Sequence, residues 1–129
     1  KPDEEGSLQI AFVAAKDDPI LKNSPSILAY AYFPGQGRDG IIVFNDDWNW
    51  GDVIFFIRVL THESGHSLGL EHSTRGLFLD IMDPFYNENI DQPSSYDILR
   101  LLNKYPKRAW LPRHYSRLKR WMRIRLKRF

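Results

Sequence analysis

Apolar residues recur along this chain with two periods, and the change from one to the other marks where its chemistry lies. From Leu8 to Ala14 they fall at 8, 10, 12 and 14, the two-residue alternation of a strand with one buried face. Ile27 to Phe33 and Ile41 to Phe44 are two further apolar runs of strand length. Turn-forming residues separate them: Asp17-Asp18-Pro19 and Asn23-Ser24-Pro25 make Lys16 to Ser26 a loop, and Pro34 to Gly40 holds three glycines. Asn45-Asp46-Asp47 closes the third run. The period then lengthens. Val53 to Leu68 carries apolar residues at 53, 56, 57, 60 and 68, close to helical spacing, and Asp52 stands where a cap belongs. The opening run Val53-Ile54-Phe55-Phe56-Ile57 is apolar almost all round, so it is expected to be deeply buried, with Arg58 reaching solvent. An irregular stretch follows to Gln92. Pro93-Ser94-Ser95 then introduces a last helix, Tyr96 to Lys104, with Ile98, Leu99, Leu101 and Leu102 apolar.

The long predicted helix carries His62 and His66, four residues apart. That spacing puts both rings on one helical face, one turn apart, where they can share a metal ion. Gly69 can adopt positive φ and end the helix. The chain then turns back and brings in His72 as a third nitrogen. Three protein nitrogens leave the fourth position of a zinc ion open, as a catalytic site requires. Glu63 need not bind the metal and can accept a proton from an activated water. The full pattern, His62-Glu63-x-x-His66-x-x-Gly69-x-x-His72, is the one found in metzincins. Met82, ten residues after His72, lies where a Met-turn would fall.

Composition narrows the picture. A chain of 129 residues fits one domain, and 43% hydrophobic and 14% aromatic residues suffice for a packed core. The absence of cysteine excludes disulfides, thiol nucleophiles and cysteine zinc sites. No apolar run approaches the length of a membrane-spanning helix. The chain opens at Lys1 with no signal-peptide pattern and reads as a processed product or a fragment. Residues 1–6 are charged and flanked by Pro and Gly, a disordered lead-in. The net charge of +2 hides an asymmetry: all 16 acidic groups precede residue 107, whereas residues 107–129 hold ten Lys and Arg and no acid. That extension has apolar residues at both helical and strand spacing. Three readings stand for it: a solvated extension, a polyanion-binding segment for glycans, nucleic acid or anionic lipid, and a segment docked on the acidic part.

These residues together resemble the catalytic domain of matrixins, the matrix metalloproteinases, over about residues 7–105. Ser73 directly after the third histidine is the matrixin choice. Ile81-Met82-Asp83-Pro84-Phe85-Tyr86 looks like the matrixin Met-turn with the wall that follows it. Leu28 to Gly35 looks like the family's strand and following loop. The resemblance implies an α+β fold: a twisted mixed β-sheet packed on an active-site helix, then a small C-terminal subdomain with a Met-turn and a last helix. It divides the chain into the lead-in, a protease domain over 7–106 and the basic extension over 107–129. It implies a secreted zinc endopeptidase with one catalytic ion on His62, His66 and His72, and with Glu63 as general base. Met82 would form an apolar floor under the ligands. Pro84, Phe85 and Tyr86 would line the pocket for the residue after the cut. Ile41, Ile42, Val43 and Phe44 would be the edge that pairs with extended substrate.

Departures from the family pattern carry expectations of their own. The positions of the family's second, structural zinc fall on Ala15, Asp17, Tyr30 and Val43, and one carboxylate cannot hold the ion, so that zinc is expected to be absent. At the usual calcium position stands Asn45, with Trp48 in place of a Glu. Asp46 and Asp47 leave a solvated turn as the first reading and a weak calcium site as the second. Trp48 and Trp50 could give by packing some of the rigidity that metals give elsewhere. The family's first strand, helix and second strand have no counterpart in the sequence. The competing functional reading is therefore a catalytically impaired metzincin-like module that binds polyanions or mediates adhesion.

Overall fold

The structure, a computed structural model, describes residues 8–76 and 78–106. The lead-in over 1–6 and the basic extension over 107–129, with the readings attached to them, lie outside the described residues. The chain divides into two compact units, the first ending at Ile98 and the second beginning at Leu99. The sheet, the long helix and the site all belong to the first.

Three strands form one mixed sheet: β1 (Gln9–Val13), β2 (Ala29–Ala31) and β3 (Ile41–Asn45), in the order β1-β3-β2. β1 runs parallel to β3, with Ile10 opposite Ile42 and Phe12 opposite Phe44. β2 runs antiparallel to β3, with Tyr30 opposite Val43. This order corrects one expectation. Ile41 to Phe44 lie on the central strand, paired on both sides and mostly buried, and so cannot be an edge that recruits a substrate. The reason is compositional: a run as apolar as Ile-Ile-Val-Phe is best satisfied where both faces are covered.

The loop expected over Lys16 to Ser26 is more ordered than its turn residues suggest. It folds into a 3-10 turn (Ala15–Asp17) and a short helix α1 (Pro19–Asn23). Asp18 caps α1, accepting the Ile20 and Leu21 N–H groups at 2.8 and 3.0 Å, and Pro19 takes the first turn, where its missing N–H costs nothing. The same residue types thus start a helix and break one.

The long helix, α2 (Val53–Ser67), begins at its expected cap. Asp52 accepts the N–H groups of Ile54 and Phe55 at 2.8 and 3.1 Å. Its core face is Phe55, Phe56, Val59 and Leu60, packed on Ala29, Ile42 and Phe44 of the sheet. Trp50 joins this layer, stacked on Phe55 at 5.1 Å and donating its indole N–H to the Asn45 carbonyl, whereas Trp48 stays exposed. The deep burial expected of Val53 to Ile57 does not occur. Val53, Ile54 and Ile57 are 64%, 55% and 46% exposed. A run that is apolar all round carries no phase, and only the sheet decides which side turns inward. Arg58 is half-buried: its Nη1 donates to the Tyr86 hydroxyl at 3.0 Å, and its Nε is buried.

A second apolar cluster lies on the other side of the sheet. Ala15, Leu21 and Val43 are buried there with Val13, Ile27, Tyr30 and Ile41 against them. The last helix, α3 (Ser95–Lys104), begins with Asp97 buried in its first turn. No helix among the described residues is long and apolar enough to cross a membrane.

Candidate metal centre

The end of α2 builds most of the centre. Gly69, at φ +82°, lets the chain reverse. Gly69 N–H then bonds the His66 carbonyl at 2.7 Å and Leu70 N–H bonds the Gly65 carbonyl at 2.8 Å, the paired bonds of a Schellman turn. The turn returns the Leu70 carbonyl to His66, whose Nδ1 donates to it at 2.7 Å. His62 Nδ1 donates in the same way to the Ile81 carbonyl, also at 2.7 Å. A carbonyl only accepts, so both rings carry their proton on Nδ1 and turn a bare Nε2 lone pair toward the centre.

His72 completes the set. His66 Nε2 lies 3.1 Å from His62 Nε2 and 3.2 Å from His72 Nε2. Zinc–nitrogen bonds of about 2.0–2.1 Å in a tetrahedron place their nitrogens about 3.3 Å apart, so the spacing fits such an ion. Among the described residues these three form the one group of His, Cys, Asp and Glu side chains able to hold a metal. Burial, opposed by the Ile81 carbonyl, holds the His62 pKa below the ordinary imidazole value and favours the neutral ligand form.

Glu63 follows His62 and is 5% exposed. Burial pushes its pKa up to about 8. Its Oε2 is buried without a hydrogen-bond partner. Met82 lies fully buried beneath the helix, and a Cβ at Gly65 would run into its Sδ. Helix and turn approach this closely because residue 65 has no side chain.

A cavity of about 960 Å³ opens over the centre, lined by all three histidines and Glu63, by Leu28 to Ala31 on one side, and by Ile81 and Asp83 to Tyr86 on the other. Pro84, Phe85 and Tyr86 thus share one cavity with the histidines, and Ile41 to Phe44 stay outside it. The sheet edge beside the cavity is β2. The Leu28 carbonyl accepts from Asn45 N–H at 2.9 Å, and Tyr32 N–H donates to the Ile41 carbonyl at 3.1 Å. Antiparallel alternation then turns the backbone groups of Ala29 and Ala31 away from β3, where no described strand takes them. The sheet edge is therefore β2 and not Ile41 to Phe44, and nothing in the apolar run Ile27 to Phe33 marks it as the edge.

The remaining sequence candidates fall as follows. Ala15, Tyr30 and Val43 meet within the second apolar cluster, and Tyr30 donates its hydroxyl to Asp18 at 2.7 Å. Burial and this carboxylate hold the Tyr30 pKa far above its usual value. Asp47 Oδ2 accepts the Ala15 N–H at 3.3 Å, and Asn45 Nδ2 donates to the Pro25 and Ile27 carbonyls. Ser94 is read in the sequence only as part of the start of the last helix; its bond to Asp80, fourteen residues away, appears only in the structure.

The fold and centre together define a class: an α+β domain built around three convergent histidines on a helix and the turn that ends it. Comparison with known proteins gives the family. The matrixin family model matches residues 2–102, and the chain belongs to that family of zinc metalloproteases. Stromelysin-1 of Equus caballus is 48% identical over 64 residues, covering 47% of this chain and 13% of its own. Matrix metalloproteinase-18 of Xenopus laevis is 40% identical over 76 residues, 55% of this chain and 16% of its own. Matrilysin of Felis catus is 51% identical over 51 residues, 36% of this chain and 20% of its own. The aligned part spans at most a fifth of the length of these relatives.

Proposed function

We propose that this chain is a zinc-dependent endopeptidase that cuts extended segments of proteins, of the extracellular-matrix type. The observation that carries the reading is the convergence of three histidine nitrogens within 4.8 Å of one another, with the Nε2 atoms of His62 and His72 3.1 and 3.2 Å from that of His66 and two of the rings aimed by backbone carbonyls. His62, His66 and His72 would hold the ion, which supplies Lewis acidity toward a water and a peptide carbonyl when bound. The chain's own residues do the rest. Glu63 takes the proton from the attacking water and passes it to the leaving amine; its unpartnered Oε2 supports that role. A neighbouring dication offsets the effect of burial on this carboxyl and favours the ionised, basic form. Substrate adds a strand to the outward groups of Ala29 and Ala31, and its side chain after the cut enters the pocket walled by Pro84, Phe85 and Tyr86. Met82 acts as the Met-turn floor.

One zinc per chain belongs to this proposal, supported by the apolar packing of Ala15, Tyr30 and Val43. A secreted setting follows from the family, and the chain spans only part of its relatives. Elemental analysis of the purified protein should give one zinc. Cleavage of a quenched gelatin-like peptide should vanish on chelation and drop at least about a hundredfold in Glu63→Ala, on the scale of a lost general base. A folded, zinc-loaded chain that leaves such peptides intact would turn the reading to a binding module. The ten basic residues of 107–129 support polyanion binding as a second property. Deleting them should abolish salt-sensitive retention on heparin; equal retention of the truncated chain would remove that part of the proposal.

A further inference from the structure

Two buried carboxylates stand behind the metal centre. Asp80 is 3% exposed and Asp97 2%. Ser94 joins them, its Oγ 2.6 Å from Asp80 Oδ1 and 3.0 Å from Asp97 Oδ2. Part of this is ordinary helix capping. Ser94 Oγ accepts the Asp97 N–H at 3.1 Å, and Asp97 Oδ2 accepts the Ser94 N–H at 3.0 Å, which is a capping box at the start of α3.

Capping does not account for the remaining bonds. Asp97 Oδ2 also accepts the Ile81 N–H at 3.0 Å, sixteen residues away in sequence. The carbonyl of that same Ile81 is the acceptor that fixes the His62 ring. Asp80 accepts the Ser73 hydroxyl at 2.5 Å and the Arg75 guanidinium through Nε and Nη2, and Ser73 follows His72 directly. Ser73 N–H in turn bonds the Met82 carbonyl at 2.7 Å. One network therefore grips the residue on which His62 rests and the residue next to His72. His66 is aimed separately, by Leu70.

We propose that Asp97, Ser94 and Asp80 form a positioning unit for the metal ligands, setting the direction of the His62 lone pair and the reach of His72. The inference rests on the reading of His62, His66 and His72 as ligands. Asp97 is its centre, because one oxygen serves both the α3 cap and Ile81. Asp97 acts through Ile81 and Asp80 through Ser73, with Ser94 joining the two carboxylates; Asp80 also lines the cavity.

The test is metal binding to the full chain, read without activity. Zinc affinity is measured by competition with a chromophoric chelator, and the visible absorption of the cobalt-substituted protein reports ligand geometry. Asp97→Asn should weaken zinc about 10- to 100-fold, the usual cost of losing an outer-shell partner, and alter the cobalt bands. Ser94→Ala, which keeps both carboxylates, should shift both readouts the same way, by about tenfold, and decides the matter if Asp97→Asn does not fold. Asp18→Asn removes a capping carboxylate on the other side of the sheet and should change neither. Unaltered affinity and spectrum in both network variants, or an equal loss in Asp18→Asn, would overturn the inference while leaving the metal reading intact. A wild-type chain that binds neither ion overturns both.

Discussion

Gly65 and Met82 show how much one hydrogen atom in place of a side chain can decide. Met82 packs against the bare backbone of Gly65, one residue before the buried His66. Gly65→Ala forces the thioether aside in a filled space and should cost about 1–3 kcal/mol, as overpacked cores do. Urea denaturation checks this; an alanine variant as stable as the parent would mean that Met82 swings away freely. Gly69 was legible in the sequence, because a glycine after a helical run signals a turn with positive φ. Gly65 was not, because its need comes from a residue seventeen positions later. The histidines and Glu63 were legible for the opposite reason: their spacing is local, and a helix turns spacing directly into geometry.

Between elements, the links are buried carboxylates. The Arg75 guanidinium beside Asp80, with the Ser73 and Ser94 hydroxyls, holds the Asp80 carboxyl well below the usual carboxylate range despite burial. A native pKa below the unfolded value gives stability that is fully present above the unfolded pKa, about 3.9, and is lost as the pH falls toward the native value. Asp80→Asn should therefore be less stable than the parent by about 2 kcal/mol at pH 6, the scale of hydrogen bonds to a charged group. That gap should close as the pH drops from 4 toward 2. Denaturation midpoints across this range test the sign, and a gap that widens in acid would contradict it. The helix α2 was read correctly from its Asp52 cap and its length. Its rotation was not, because Val53 to Ile57 is apolar all round. The edge was expected at Ile41 to Phe44 and lies at β2, because both segments are apolar runs in the sequence and strand order is set by pairing between distant segments.

On the scale of the whole molecule, apolar surface remains uncovered. Leu8, Ile10 and Phe12 of the β1 side are about half exposed, and so are Val53, Ile54 and Ile57 on α2. Phe12 stacks on Phe44 and Phe56, so this surface borders the core. Such a surface on a 129-residue chain should bind an apolar dye such as anilinonaphthalene sulfonate and lower solubility. Ile54→Lys combined with Ile57→Lys should reduce dye binding at least about twofold with little loss of stability, since both side chains are already solvated. A large loss of stability would show that they bury more than their exposure indicates.

The sequence by itself determined the three histidines that converge, the glutamate beside the first, the helix that carries them and the family. These depend on spacing within one helix and its closing turn, where covalent geometry leaves few alternatives. Only the tertiary structure decided which strand is central, which side of α2 faces the sheet, and which distant residues are hydrogen-bonded behind the histidines. Those choices rest on surfaces brought together from separate parts of the chain, and a local pattern of apolar and polar residues carries no phase or partner for them.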